Sequence, residues 1–338
     1  MIEDGTLDYL GLGHEMLADP YWPTKVKEGR LRGYFAPCVC CNECFAGWIL
    51  RQTLLLRCEP TCYANGIMLC PSRMAPRNRF WSSAAAPAVC PLPLLPVSVA
   101  GMWRCGRRPT VWVARFWAAG GPDFKADIIK LINYMKVQCD KLGVKVRYNK
   151  AATAENVLGG NWDKVILAAG ADPAIPPIPG IENATPVSEY LTHNAAAGKK
   201  VVVIGGGLAG TEAACDIAPN ADEVTIVEMM PDILFSAAHC LNNDQHLRNM
   251  VKDRGVKVAA GAKVTKITPD SVTYEKDGET IVLTCDTVFN AAGFKANNQL
   301  EDLLEANYDN VTVIGDAIAP RKILTAVHEG YHAIRVME

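Results

Sequence analysis

The stretch KKVVVIGGGLAGTEAACDIA, followed closely by EVTIVE, constrains the fold of this 338-residue chain more than any other part of it. An apolar strand runs into three glycines, Gly205, Gly207 and Gly210, at the start of a helix. The spacing permits a tight turn at Gly205, a close approach of the backbone to a pyrophosphate at Gly207, and close helix–strand packing at Gly210. The second strand ends in Glu228, where a carboxylate can accept hydrogen bonds from an adenosine ribose. The unit therefore predicts a dinucleotide-binding βαβ fold.

The acid at the end of the second strand favours NADH as the dinucleotide. A 2′-phosphate would be repelled by Glu228, and the next residues, Met229 and Met230, offer no cation to hold one. The alternative is a glycine-rich turn that binds nothing, and the full context of strand, helix and acid argues against it.

Strand and helix patterns alternate from residue 123 onward, which predicts an α/β fold with mainly parallel, doubly wound sheets. The last strand ends in Gly315 and Asp316, and a carboxylate there can contact the ribityl or pyrophosphate group of a flavin. The predicted elements are a helix at 123–142, strands at 144–148 and 164–169, β-rich text at 256–290, a strand at 311–314 and a helix from Ile323.

Four cysteines near the N-terminus predict a metal centre. In PCVCCNECFAGWILRQTLLLRCEPTC, Cys38, Cys41 and Cys44 stand three apart, and Cys58 follows later. Three closely spaced thiolates and one distant thiolate favour a [4Fe-4S] cluster, whereas zinc ribbons usually bring two separated CxxC pairs. Cys62 is an alternative fourth ligand, and zinc an alternative metal.

Thirteen cysteines without a preceding signal peptide indicate a reducing, cytoplasmic compartment rather than a disulfide framework. Unligated, buried thiols are the interpretation for the scattered ones. His328 and His332 are interpreted as surface or packing residues, because no third ligand is nearby. These scattered cysteines are Cys90, Cys139, Cys215, Cys240 and Cys285.

A formal net charge of −2 gives no reason to expect nucleic acid or an anionic membrane as partner. The apolar run at 84–100 contains four prolines, which would break a spanning helix. The expected partner is a small-molecule substrate, and assembly into a homo-oligomer stays open.

Residues 71–117 do not follow the pattern of the rest. They contain seven arginines, seven prolines and four tryptophans but no Asp, Glu or Lys, and they show no period of 2 or 3.6. A shifted reading frame turns FWSSAAAPAVC into codons that permit a glycine fingerprint, and GMWRCGRRPTVWVARFW into codons that permit a second strand ending in glutamate. We therefore predict a frame-disturbed or disordered segment, with a divergent linker as the alternative.

Four strings together resemble one family: GLGHEMLADPYWPTKVKEGR, CVCCNEC with RCEPTC, the glycine fingerprint with VILAAGADPAIPPIPGIEN before it, and IGDAIAPRKILTAVHEGYHA. The chain resembles the C-terminal half of the flavin and iron–sulfur enzymes related to 2,4-dienoyl-CoA reductase, 2-enoate reductase and trimethylamine dehydrogenase. The CxxCxxC spacing is closer to the amine dehydrogenase pattern. The resemblance covers residues 1–70 and 118–338.

The resemblance implies doubly wound, Rossmann-like FAD- and NAD-binding domains, preceded by a cluster segment and the last βα unit of a TIM barrel whose remainder is absent. The expected divisions are 1–34 for the barrel remnant, 35–70 for the [4Fe-4S] segment, 71–117 for the anomalous segment, 118–193 with 309–338 for the FAD-type domain, and 194–308 for the inserted NAD-binding domain. A short buried strand at residues 9–12 is expected in the remnant. The FAD domain is expected to lack its first strand and helix.

Carried over residue by residue, the resemblance gives cysteine ligands for the cluster, glycines and an acid for NADH, and Gly315 with Asp316 for FAD. Gly11 and Gly13 would lie by the phosphate of FMN. The family usually has arginine after the second of these glycines, and this chain has His14, which puts phosphate anchoring there in doubt. The implied ligands and NADH contacts are Cys38, Cys41, Cys44, Cys58, Gly205, Gly207, Gly210 and Glu228.

The implied reaction is NADH oxidation, with electrons passing through FAD and the [4Fe-4S] cluster to FMN for reduction of an activated C=C bond in an enoate, enoyl-CoA or enone. One alternative is the reverse electron flow of an amine dehydrogenase. Another is a catalytically incompetent fragment that only binds NAD. The sequence predicts neither the catalytic residues nor the substrate.

Overall fold

A computed structural model gives the fold of the chain over residues 4–30, 35–44, 80–82, 101–103, 114–141, 146–147, 153–160, 162–235 and 241–335. The helices are α1 His14–Ala18, α2 Trp22–Lys27, α3 Ala114–Ala119, α4 Asp127–Lys141, α5 Ala154–Leu158, α6 Val187–Leu191, α7 Leu208–Ile217, α8 Leu241–Asp253, α9 Glu301–Glu305 and α10 Ile323–Arg335. Short 3-10 turns lie at Asp123–Lys125, Ile181–Asn183, Ala218–Asn220 and Gly315–Ala317.

Fifteen strands are present in the described part of the chain, and most belong to two parallel sheets. They are β1 Phe80–Ser82, β2 Gly101–Trp103, β3 Val146–Arg147, β4 Lys164–Leu167, β5 Ala171–Pro173, β6 Thr185–Pro186, β7 Lys200–Ile204, β8 Glu223–Glu228, β9 Lys257–Ala260, β10 Lys263–Thr268, β11 Ser271–Lys276, β12 Glu279–Thr284, β13 Thr287–Asn290, β14 Phe294–Ala296 and β15 Val311–Val313.

The first sheet is parallel throughout, in the order β15-β4-β1-β2-β3. Helices α4 and α10 supply the apolar side chains that cover it, and Leu131, Ile166 and Val327 are all completely buried in this core. Because both faces of a parallel sheet are covered by helices, its strands are mostly apolar, and in β4 the residues Val165, Ile166 and Leu167 are completely buried after an initial lysine. The doubly wound α/β prediction is confirmed.

The expectation that the FAD-type domain lacks its first strand is wrong. Trp81 pairs with Val165 on one side and with Gly101 on the other, so β1 occupies the centre of the first sheet. A segment between two parallel strands can form backbone hydrogen bonds on both sides. Because β propensity depends strongly on tertiary context, such a segment can form a strand without a strand-like sequence pattern. Apart from β1 and β2, residues 71–113 lie outside the described residues.

The second sheet, in the order β6-β13-β7-β8-β9, is also parallel. It carries the glycine unit, and Val203, Ile226 and Phe289 fill the core beneath α7. The helix α6, which precedes the domain division predicted at residue 194, buries Val187 and Leu191 in this same core. The antiparallel sheet β10-β11-β12 and the antiparallel pair β14-β5 complete the strands.

The predicted buried strand at residues 9–12 is wrong. These residues have no regular secondary structure, and Tyr9 is 90% exposed. A barrel strand is stabilised by neighbouring strands on both sides, and no described strand pairs with this segment.

The described cysteines outside the N-terminal group are free thiols within the cores. Cys139, Cys215 and Cys285 are buried, which confirms their interpretation as packing residues, while Cys90 and Cys240 lie outside the described residues. Of the helices in the described ranges, none combines the length and apolar character needed to cross a membrane.

Candidate functional site

The glycine turn has the geometry that its spacing predicts. Gly205 adopts φ +105°, a conformation that favours glycine, immediately after β7. A Cβ at Gly210 would lie 2.0 Å from the Gly205 carbonyl oxygen, so only glycine lets α7 pack this closely on the turn. A Cβ at Gly207 would meet nothing within 4 Å. The turn therefore presents an open face at the start of α7, where helix N–H groups lack intrahelical acceptors.

Glu228 joins the end of β8 to this turn. Its carboxylate accepts hydrogen bonds from the backbone N–H of Gly206 and, at 2.7 Å, from that of Met230. A carboxylate has about four lone-pair sites, so ribose hydroxyls can still donate to it. Met229, which follows, is 67% exposed. Contact of the glycines and Glu228 with NADH stays a prediction.

The carboxyl edge of the first sheet forms a second open backbone site. Strands β4 and β15 end side by side, with Leu167 paired to Val313. Gly170 follows β4 with φ +78°, and a Cβ there would meet nothing within 4 Å. Open α/β sheets bind ligands at the carboxyl ends of their strands. This edge therefore fits the flavin nucleotide, whose contacts stay a prediction.

The predicted flavin residues at the end of β15 are partly engaged by the protein. The N–H of Gly315 donates to Glu329 Oε2 at 2.7 Å, and the N–H of Arg321 donates to Asp316 Oδ1 at 3.0 Å. Arg321 also forms an ion pair with Glu329. Gly315 and Asp316 thus both form hydrogen bonds within the protein, and their contact with a flavin stays a prediction.

Polar contacts join the fingerprint helix α7 to the segment just before α4, the helix that packs on the first sheet. Lys125 Nζ lies 2.8 Å from both carboxylate oxygens of Glu212, and both side chains are largely buried. Asp216 accepts hydrogen bonds from the Tyr190 hydroxyl at 2.8 Å and from the Asp123 N–H at 3.2 Å. Burial and the Asp216 carboxylate raise the pKa of Tyr190, which keeps its hydroxyl a donor. These contacts therefore join α7 to the segment that leads into α4.

Two acidic side chains hold the start of the cysteine segment. Glu15 Oε2 accepts the Cys38 N–H at 2.9 Å, and Asp19 Oδ2 accepts the Ala36 N–H at 3.0 Å. Asp19 is 3% exposed, and Lys25 offsets its charge. The loop therefore begins in a defined position.

The cysteine loop turns sharply between its thiols. Cys40 and Asn42 both adopt positive φ, 49° and 56°, and Cys44 is buried. Burial raises the pKa of the Cys38 thiol to about 11, so binding of a metal there would release a proton.

The described residues do not by themselves form the predicted metal centre. Within the ranges given above, no three His, Cys, Asp or Glu side chains are grouped to hold a metal ion. Cys58 and Cys62 lie outside the described residues. The cluster ligands therefore stay a prediction.

The cysteine loop contacts elements that pack on each of the two parallel sheets. Asn243 of α8 donates to the Cys41 carbonyl at 3.0 Å, and Lys322, just before α10, donates to Glu43 at 2.9 Å. This loop thus contacts α8, which follows β8, and the start of α10.

The glycines predicted to lie by FMN are not held in a site by the described residues. A Cβ at Gly11 or at Gly13 would meet nothing within 4 Å, and Gly13 directly precedes α1. His328 and His332 lie side by side on α10 with ring centroids 6.3 Å apart.

The sequence does not indicate that the Thr211 hydroxyl and the Leu234 N–H both donate to the Gly206 carbonyl. It also does not indicate that Arg248 donates to the carbonyl of Ile233, the residue before Leu234. Thr211 resembles an ordinary helical residue, and Leu234 resembles an ordinary core residue. Their roles depend on backbone contacts that no spacing signals.

Comparison with known proteins agrees with this geometry. The model of the pyridine nucleotide-disulphide oxidoreductase family matches residues 119–330. The chain is 27% identical over 348 residues to a cinnamate reductase of Clostridium sporogenes, covering 99% of this chain and 50% of the relative. It is 29% identical over 342 residues to an NADH oxidase of Thermoanaerobacter brockii, covering 98% and 52%.

A solved structure of 2-naphthoyl-CoA reductase superposes with a TM-score of 0.89 at 24% identity, covering 99% of this chain and 51% of that one. This chain thus spans about half the length of the curated relatives it matches. Because the family model matches more than half of its residues, and both parallel sheets lie largely within the match, the chain belongs to the pyridine nucleotide-disulphide oxidoreductase family.

Proposed function

We propose that this chain is the NADH- and FAD-binding part of a flavin and iron–sulfur oxidoreductase that reduces an activated C=C bond. The observation that carries the proposal is the open turn at Gly207 between β7 and α7, with Glu228 at the end of the neighbouring strand. A pyrophosphate can approach that backbone, and an adenosine ribose can donate to that carboxylate.

The FAD part of the proposal is supported by the carboxyl edge of the first sheet. Gly170 leaves the backbone open there, and Asp316 adds a carboxylate at the end of the adjacent strand. When bound, FAD supplies the acceptor for the hydride of NADH. The protein's own part is to hold the two nucleotides in position relative to each other. The Lys125–Glu212 ion pair, which links α7 to the segment before α4, supports this role.

The substrate class is proposed from the relatives. The Clostridium sporogenes relative is named for cinnamate, which contains a C=C bond activated by a carboxylate. We propose an enoate, enoyl thioester or enone as the electron acceptor, reduced at an FMN site. That site is proposed for a (β/α)8 barrel of which residues 1–34 would be the end.

Anaerobic titration tests the NADH–FAD part. The full chain, reconstituted with FAD, should lose its flavin absorbance band on addition of about one equivalent of NADH, because one hydride reduces one flavin by two electrons. NADPH should act more slowly. A chain that binds NADH but retains no FAD would contradict the redox proposal and support the alternative of a fragment that only binds NAD.

We also propose that Cys38, Cys41, Cys44 and Cys58 bind a [4Fe-4S] cluster. Iron analysis after anaerobic reconstitution should give about four irons per chain, together with a broad visible absorbance shoulder. Cys41→Ser should lose most of this iron. Cys40→Ser is the matched control, because Cys40 is an exposed thiol in the same loop and outside the CxxCxxC spacing. Stoichiometric zinc without iron uptake would reverse the assignment.

A further inference from the structure

The peptide groups around Gly206 are held by residues outside the glycine spacing. The N–H of Gly206 donates to Glu228, and its carbonyl oxygen accepts two hydrogen bonds, from the Thr211 hydroxyl at 3.1 Å and from the Leu234 N–H at 2.7 Å. Both polar groups of this glycine are therefore satisfied inside the protein.

The Thr211 hydroxyl is committed to this contact. Thr211 lies in the first turn of α7 and is completely buried, so its hydroxyl must find a partner within the protein. It reaches back five residues to the Gly206 carbonyl. The backbone N–H of Thr211 meanwhile bonds to the Gly207 carbonyl at 2.9 Å, so the helix itself does not require the hydroxyl.

The second donor, the Leu234 N–H, is held by a constrained backbone. Leu234 is buried with φ +59°, a conformation that is uncommon for a bulky residue and persists where surrounding contacts determine it. Arg248 provides such contacts, because its guanidinium donates to the Ile233 carbonyl at 2.8 Å and to Asp232 at 2.8 Å.

The hydrogen bonds to the Gly206 carbonyl also fix the direction of the Gly207 N–H, because both groups belong to one planar trans peptide. In a trans peptide the C=O and the following N–H point in opposite directions. Because the Gly206 oxygen points toward Thr211 and Leu234, the Gly207 N–H points away from them, and a Cβ on the same residue would meet nothing within 4 Å. Two consecutive glycines allow this peptide to rotate easily, and a flip would turn a carbonyl oxygen toward a bound pyrophosphate.

We propose that Thr211 and Leu234 are positioning residues that lock the Gly206–Gly207 peptide so that the Gly207 N–H donates to the pyrophosphate of NADH. This inference rests on the NADH site proposed above. The buried hydroxyl of Thr211 and the positive φ of Leu234, which the glycine spacing does not explain, both serve to orient this peptide.

The test compares Thr211→Val with Thr211→Ser in the full chain. Valine keeps the volume and removes the donor, whereas serine keeps the donor. Losing one hydrogen bond worth about 0.5–1.5 kcal/mol should raise the Kd for NADH about 3- to 10-fold in the valine variant. The serine variant should stay near the unchanged chain. Thr211→Ala serves for the same comparison where the valine variant does not fold.

Comparing ligands with and without a pyrophosphate distinguishes locking of the Gly206–Gly207 peptide from a general structural role of Thr211. In the valine variant the Kd for ADP-ribose should rise by the same factor as the Kd for NADH. The Kd for adenosine, measured by competition, should stay as in the unchanged chain. An equal loss for all three ligands, or no loss for any, would overturn the lock. If the unchanged chain binds NADH and the valine variant matches it, only the lock fails. If the unchanged chain does not bind NADH, the proposed NADH site fails as well.

Discussion

Replacing Gly207 with alanine is expected to raise the Kd for NADH about 10- to 100-fold, because a methyl group inserted into a close contact costs about 1–3 kcal/mol. The added Cβ meets no protein atom within 4 Å, and Gly207 has an ordinary φ of −69°. The new methyl group therefore occupies only the open space in which we propose that the pyrophosphate binds. The measurements are calorimetric binding of NADH and thermal unfolding, and the melting temperature should stay nearly unchanged.

Two other glycines make this result specific. Gly159→Ala is the matched control, because its Cβ has only an ordinary contact, 3.5 Å from the Glu155 carbonyl, and neither stability nor binding should change. Gly210→Ala should instead lower the melting temperature, because its Cβ would lie 2.0 Å from the Gly205 carbonyl oxygen. A Gly207→Ala chain that binds NADH as tightly as the unchanged chain would contradict the proposed pyrophosphate position.

The sequence predicted the glycine turn well because its determinants are local. A strand, three glycines and a helix lie within twenty residues, and φ +105° at Gly205 and the contact at Gly210 follow from that order. The contacts of Thr211 and Leu234 with Gly206 were not predictable, because a buried hydroxyl and a left-handed leucine obtain their roles from tertiary packing.

The central position of β1 in the first sheet could not be predicted from its local sequence either. FWS carries no distinct strand pattern in a segment of unusual composition, yet Trp81 lies between Val165 and Gly101 in the first sheet. The three residues of β1 are extended because they pair with the parallel strands β2 and β4 on either side. The opposite error occurred at residues 9–12, where an apolar pattern predicted burial and Tyr9 is exposed.

Replacing Glu228 with alanine is expected to weaken NADH binding about 10- to 100-fold, because a hydrogen bond to a charged group contributes about 1.5–3 kcal/mol. The substitution removes the proposed acceptor for the ribose hydroxyls and leaves the N–H of Gly206 without its partner. NADPH should lose less affinity, because the carboxylate that repels a 2′-phosphate is gone. The preference for NADH should therefore narrow, as measured by the ratio of the two Kd values.

Glu228→Gln separates the charge from the acceptor. Glutamine keeps the shape of the side chain and one acceptor oxygen, which can still accept the N–H of Gly206, whereas the N–H of Met230 loses its acceptor. Because the negative charge is gone, binding of NADPH should improve relative to the unchanged chain. Glu223→Gln is the matched control on the same strand: Glu223 and its ion-pair partner Lys257 are 40% and 64% exposed, and such surface pairs contribute little. If the unchanged chain binds NADPH more tightly than NADH, the carboxylate of Glu228 does not select the ribose, and the NADH assignment is wrong.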